Sequence, residues 1–280
     1  MKQGTHDNPL AHLNLGQATA YPEHYDASLL QPVARQLNRT PIGIVEASKL
    51  PFFGHDEWTG YEISWLQPNG LPQVAIAQFI VPCTSPNLIE SKSFKLYLNS
   101  FNQSQWPSWE AVAAQMTIDL SACAGAAVTV KLLQLNDAQH LVGQWQGQCL
   151  DNPSVAISTY DYAPDLLRHA SHERVTEQLY SDLLKSNCLI TNQPDWGSLY
   201  ISYTGRAIDH AALLQYIVSF RNHNEFHEQC VERIFMDLTQ RLDLDHLSVY
   251  ARYTRRGGLD INPYRATEDT APNRMRLSRQ

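Results

Sequence analysis

Along this chain the spacing of hydrophobic and polar residues switches between periods of two and of three to four, and the order of switching occurs twice. "GYEISWLQ" (60–67) and "QVAIAQFIVP" (73–82) read as strands, and "PNGLP" between them is a hairpin signal. In "LIESKSFKLYLNSF" (88–101), Ile89, Phe94, Tyr97 and Phe101 fall at helical spacing. "PSWEAVAAQMTIDL" (107–120) opens with Pro and Ser, then places Trp109, Val112, Met116 and Leu120 on one helical face. Strand-like "AAVTVKLLQL" (126–135) and "SVAISTYDY" (154–162) complete the first half.

In the second half, "RVTEQLYSDLL" (174–184) fits either period, and its last eight residues are taken as a strand. "SLYISYTG" (198–205) is a strand, "DHAALLQYIVSF" (209–220) and "EFHEQCVERIFMDLTQRL" (225–242) are helices, and "HLSVYARYT" (246–254) with "GLDINPY" (258–264) are strands. The dipeptide "SF" ends the first helix of each half, at 100–101 and 219–220, and "IDL" is echoed by "MDL". A duplicated module explains both the order and the echoes. The expected organisation is a leader over 1–40, one module over 41–165 and another over 166–280. Its class is α+β rather than βαβ, with two stacked sheet-and-helix layers.

Composition narrows the function without choosing it. The 280 residues, 43% hydrophobic and 18% charged, suffice for large cores, and the six Trp and thirteen Tyr suit a globular protein with ligand-binding surfaces. A net charge of -7 without Lys/Arg clusters argues against salt-driven binding to nucleic acid. The longest strongly apolar stretch, "VAIAQFIVP", is too short to span a bilayer, so a cytoplasmic protein is expected. Five scattered cysteines (Cys83, Cys123, Cys149, Cys188, Cys230) without a C-x-x-C fit reduced thiols. Neither G-x-G-x-x-G after a strand nor G-x-x-x-x-G-K-[ST] occurs, which disfavours a Rossmann domain or a P-loop.

Three segments carry candidate chemistry. "NCLITNQPDWG" connects two strands and sets Cys188 and Asp195 on one loop. There a thiol could attack an electron-poor carbon while the carboxyl takes and returns its proton. The blander reading is a bystander thiol with a turn-making Asp. In "RNHNEFHEQC", His223 and His227 are four apart, as metal ligands on a helix face would be, with Cys188 or Cys230 to complete a site. Against this, Asn224 could cap the helix and leave His223 outside it. His227 and Glu228 would then divide proton transfer and hydrogen bonding to a ligand's N–H edge, or would simply be a capping histidine and a solvated glutamate. In "ESKSFK", Glu90 reads as a helix-start charge, while Lys92 and Lys95 with the hydroxyls of Ser91 and Ser93 could hold a phosphate together with Arg255, Arg256, Gly257 and Gly258 of "RYTRRGGLD", or form solvated faces.

Taken together, "C…QPDW…LYISY", "SFRNH", "FHE", "TRRGG" and "ESKSFKLYLNSF" resemble the NADPH-dependent 7-cyano-7-deazaguanine reductases, the nitrile reductases of queuosine biosynthesis, in their long two-module form. The resemblance runs from about residue 60 to 265 and divides the motifs: the ESKS string lies in the first unit, and Cys188, Asp195, His227 and Glu228 lie in the second. It implies a tunnelling fold of ββααββ units with antiparallel sheets and paired helices, and ligands bound at seams between units. It also implies that Cys188 forms a covalent thioimide with the nitrile, that Asp195 supplies a proton and that His227 assists. Glu90, Ser91, Phe226, His227 and Glu228 would hold the deazapurine. Ser91, Lys92, Arg256 and Gly257 would hold NADPH, two molecules being consumed per substrate. Neither a metal nor direct contact with nucleic acid is implied, and a homodimer is expected. The competing expectation is a zinc-dependent hydrolase resembling the GTP cyclohydrolases on the same fold; a non-enzymatic binding module is the third.

Overall fold

The computed structural model describes residues 21–137, 142–152 and 154–280, so residues 1–20 of the expected leader lie outside the described residues. Strand β1 (Pro32–Ala34) and helix α1 (Gln36–Arg39) precede β2 (Phe53–Leu66), β3 (Pro72–Pro82), β4 (Asn87–Ile89), α2 (Ser91–Ser100), α3 (Trp109–Ala124) and β5 (Thr129–Leu133). The short β6 (Gln148–Cys149) precedes β7 (His169–Asn187), β8 (Pro194–Ile208), α4 (His210–Ser219), α5 (His227–Arg241), β9 (Leu244–Tyr253) and β10 (Leu259–Ala266). The class is α+β with antiparallel pairing, as expected, and the second half realises the full ββααββ order.

Instead of two stacked layers, the halves share one sheet of order β5-β3-β2-β10-β9-β8-β7-β6. The halves join where β2 pairs antiparallel with β10, from Gly60 opposite Leu259 to Phe53 opposite Ala266. Both helix pairs cover the same face. Val249 and Ala251 of β9 belong to the α4/α5 core, and Leu259 and Ile261 of β10 to the α2/α3 core. Tyr250 and Tyr264, directly paired on the same strands, project to the opposite face. On that helix-free face Trp145 stacks on Tyr200 at 4.9 Å, and the chain from Met275 to Gln280 crosses the sheet.

Three local expectations change. "SVAISTYDY" is not a strand: Val155, Ile157 and Tyr162 pack on the α4/α5 core, Ala156 O accepts from Gln215 Nε2, and the Tyr162 hydroxyl donates to Asp237. Its alternating apolar residues are buried by helices, which imitates sheet periodicity. The first half is therefore ββααβ, and the nearby β6 pairs parallel with β7 at the far edge. Helix α2 begins at Ser91 rather than at 88, because Leu88 and Ile89 pair with β1 and Glu90 caps the helix. Strand β2 starts seven residues before "GYEISWLQ", through the polar "FGHDEWT".

That polar stretch is tolerated because its charges are paired inside. Asp56 receives Arg35 at 2.5 Å and Arg265 at 2.8 Å, and Glu232 of α5 receives Arg39 at 2.7 Å and Arg265 at 2.8 Å. All five side chains are buried. An unpaired charge at this depth would be strongly destabilising, so the cluster ties β2, β10, α1 and α5 to one another. It underlies the helix start that carries Glu228.

Candidate active site

Cys188 directly follows β7, in the hairpin that leads to β8. The turn is closed by Cys188 N–H donating to Gln193 O at 2.8 Å and Asn192 N–H donating to Cys188 O at 3.0 Å, with Asn192 in the left-handed region at φ 55°. Asparagine tolerates that conformation better than most residues. A second connection, residues 223–226, is stitched to the end of β7: Asn187 N–H donates to His223 O at 2.8 Å, and Glu225 N–H donates to Asn187 O at 3.1 Å. Cys188 is held at the cleft with 7% of its surface exposed.

Asp195, the second residue of β8, also faces this space, but its oxygens do not engage the thiol. Oδ1 accepts from Arg256 at 2.7 Å, and Oδ2 lies 3.3 Å from His227 Nε2. Burial pushes the Asp195 carboxyl up, yet the His227 hydrogen bond and the charges of His227, Arg256 and Lys95 outweigh it and hold the pKa below the ordinary carboxylate range. His227 opens α5, its ring stacked on Tyr253 at 3.9 Å and 9°, with Nδ1 buried and unpartnered. The arrangement is a carboxylate held as a proton acceptor, beside an imidazole held by stacking.

Glu90 and Ser91 reach the same space from the first half. Glu90 caps α2, accepting from Lys92 N at 2.8 Å and Ser93 N at 2.7 Å, which fixes its carboxylate direction while leaving lone pairs free. The cleft is walled by Val33, Trp58, Leu88, Ile261 and Phe226. Glu228 faces it with only 3% exposure, and desolvation, followed by the charge of Asp56, pushes its pKa up to about 8. An acid raised in the folded state binds protons more tightly there, so its ionisation removes stability as pH climbs from 4.5 towards 8. Glu228→Gln should therefore match the parent at pH 5 and exceed it by on the order of a few kcal/mol at pH 8.5. Thermal melts at both pH values check this; an equal difference at the two would remove the argument.

Of the residues singled out in the sequence, Glu90, Ser91, Cys188, Asp195, Phe226, His227, Glu228 and Arg256 line this one cleft. Lys92 and Gly257 do not, although they flank it: Lys92 is in the first turn of α2, and Gly257 and Gly258 form the β9–β10 turn at φ 59° and 76°. A Cβ on Gly257 would lie 3.3 Å from Lys95 Cδ. Lys95 was legible only as a possible phosphate contact; the structure sets it among Arg256, Glu90, Asp195 and Cys188, where burial, then Arg256, lowers its pKa. His223 and His227 do not act together. His223 lies before α5 and pairs with Glu225 at 3.0 Å, and among the described residues no His, Cys, Asp or Glu cluster has the arrangement of a metal site. Apart from Phe226, the apolar walls carried no sequence signal, because their period reads as ordinary core.

Family comparison bears directly on this geometry. Residues 21–132 match the model described as "Nitrile reductase, 7-cyano-7-deazaguanine-reductase N-term", and residues 194–272 match "QueF-like protein", together more than half of the chain. The chain belongs to the QueF family of 7-cyano-7-deazaguanine-reductase-type enzymes. The QueF_N match contains Glu90 and Ser91, and the QueF match contains Asp195, Phe226, His227, Glu228 and Arg256. In this QueF-family chain the cleft is thus assembled from both matched segments. Cys188 lies between them, in sequence six residues before the second begins. A solved structure, "Crystal structure of the archaeosine synthase QueF-Like in the apo form", matches with a TM-score of 0.30 at 14% identity, over 36% of this chain and 99% of that one. Among the described residues no helix is long and apolar enough to cross a membrane.

Proposed function

We propose that this chain reduces the nitrile of 7-cyano-7-deazaguanine to an aminomethyl group at the expense of two NADPH. The observation that carries this reading is the convergence of Cys188, Asp195 and His227 from one half with Glu90 and Ser91 from the other on a single cleft. In this reading the planar base would lie between Phe226 and the apolar wall, with its polar edge towards Glu90, Ser91 and Glu228 and its nitrile towards Cys188. A nitrile carbon is a weak electrophile, so the thiol must lose its proton as the S–C bond forms. The Asp195 oxygens face Arg256 and His227, so in this reading Asp195, held ionised, would take up that proton only once ligand binding brings it to the thiol, and would return it to the nitrogen, converting C≡N and S–H into a thioimide with no net gain or loss of atoms. His227, bonded to Asp195, keeps the carboxylate aimed and passes protons between it and the substrate nitrogen.

NADPH, when bound, supplies hydride to the substrate carbon. The residues at the cleft mouth suit such an anion: Lys95 and Arg256 crowd one another with Asp195 as their nearby counter-charge, and the Gly257–Gly258 turn leaves bare backbone for close approach. Lys92, Arg256, Gly257 and Ser91 would hold the cofactor, with Lys95 added to the set. We infer a homodimer as well, a reading supported by edge strand β5, which among the described residues has a neighbour on one side alone. The protein acts on a free base in the cytoplasm in this reading, consistent with its acidic charge.

The test is the intact mass of the full chain incubated with 7-cyano-7-deazaguanine before any NADPH is added. A gain of one substrate mass, followed by oxidation of two NADPH per substrate, is expected. A protein that neither gains mass nor oxidises NADPH with this nitrile would overturn the proposal.

A further inference from the structure

The β1/β4 pair stands apart from the main sheet, and contacts lead from it into both halves of the cleft. On one side, Glu90 N–H donates to Gln31 O at 2.9 Å and Gln31 N–H donates to Ser93 Oγ at 3.0 Å, so the capping acid and the start of α2 hang from the residue before β1. On the other side, Val33 and its register partner Leu88 are buried together, and Leu189, Ile190 and Phe226 pack against them. Leu189 and Ile190 are the two residues after Cys188. The strand is itself anchored from behind: Arg35 N–H donates to Pro86 O at 2.9 Å, and its guanidinium donates to Ser85 Oγ at 3.0 Å and Asp56 at 2.5 Å.

The Cys188 turn is held by hydrogen bonds and by this apolar contact. Besides the turn's two backbone bonds, Asn224 Nδ2 donates to Cys188 O and Asn192 Oδ1, and Gln193 N–H donates to Thr191 Oγ1; all of these act on polar atoms, whereas the partly buried side chains of Leu189 and Ile190 pack on the Val33–Leu88 cluster. We propose that strand β1 is a positioning element of the active site, in which Val33, wedged between β4 and the Cys188 turn, holds the nucleophile's loop and Glu90 in one geometry across the seam between the two halves. The inference rests on the reading of Cys188 as nucleophile for its catalytic meaning, while its mechanical content stands on packing alone. Val33 also lines the cleft, so the same side chain supports the loop and bounds the ligand.

Val33→Ala removes the wedge while leaving the backbone bonds of β1 intact. Iodoacetamide labelling of the full-length protein, followed residue by residue by peptide mass, reads the effect, with the exposed Cys149 on β6 as internal reference. Cys188 should label about ten-fold faster in Val33→Ala than in the parent, Cys149 should be unchanged, and Val33→Ile should restore the parent rate. Leu189→Ala, which opens the same contact from the other side, should give the same acceleration and serves if Val33→Ala folds poorly. In Leu189→Ala, whose side chain does not line the cleft, adduct formation with 7-cyano-7-deazaguanine should slow at least five-fold while the initial binding constant changes little. Unchanged labelling of Cys188, or equal acceleration at Cys188 and Cys149, would overturn the proposal. A parent protein that labels normally but forms no adduct would instead strike the proposed reaction, and the labelling comparison would still decide the role of β1.

Discussion

Cys188→Ala should lower NADPH oxidation by roughly four to six orders of magnitude and abolish the mass adduct altogether, the loss typical of removing a covalent nucleophile. No other thiol can take its place. Cys230 is fully buried and, chiefly by desolvation, pushed up to about 12, so its thiolate is scarce at neutral pH. Cys83 is buried and likewise raised, and neither it, Cys123 nor Cys149 lines the cleft. The turn that carries residue 188 is closed by backbone atoms, which the substitution leaves in place. Melting within a few degrees of the parent is therefore expected, and single-turnover kinetics measure the chemistry. Residual reduction within a hundred-fold of the parent would mean that hydride reaches the nitrile without a thioimide.

Asp195→Asn should reduce turnover by about two to four orders of magnitude, with a much smaller effect on binding of the base. The amide keeps the carboxylate's shape and can still accept from Arg256, so geometry is largely conserved while proton transfer is lost. The linkage has a definite sign. Because the folded state holds the Asp195 pKa below its reference of 3.8, ionised Asp195 contributes stability above that pH and loses it only as pH falls through the lower folded value. The Asn variant should thus melt below the parent at pH 7, and the gap should narrow below pH 4. A gap that stays constant down to pH 3, or an unchanged rate at pH 7, would count against the assigned role. Rapid-mixing measurements of adduct formation separate this step from hydride delivery.

The second half was largely readable in sequence because its periods agree with its burial. Strand β8 alternates, burying Leu199, Ile201 and Tyr203, and α4 carries Leu213, Leu214 and Ile217 into the core, whereas β10 is buried throughout, Asp260, Asn262 and Arg265 included. The first half was less so wherever a side chain served something other than a periodic core. The stretch from Phe53 to Thr59 looked polar because Asp56 and Glu57 are inside, paired to cations distant in sequence. Ile89 counted towards a helix because its position satisfies the helical period, although it pairs with Pro32 in β1. For the site, the residue types and their motifs pointed to Cys188, Asp195, Glu90 and the His227–Glu228 pair, but the direct Cys188–Asp195 contact that the loop suggested is replaced by Asp195 bonds to Arg256 and His227. Such a choice among nearby partners is made by tertiary packing, which spacing along the chain does not encode.

The seam between β2 and β10 also constrains how the polypeptide reaches this state. Thr59 and Asp260, joined across that pairing, are 201 residues apart. During synthesis the early hairpin of β2 and β3 must wait with one side of β2 unpaired until Asp260, 201 residues after Thr59, has been made. Contacts of such separation slow folding, and an open strand edge invites pairing with the wrong partner. Nascent chains stalled before residue 259 should therefore depend on chaperones far more than chains extended past β10, which seals the edge on which the early strands rely.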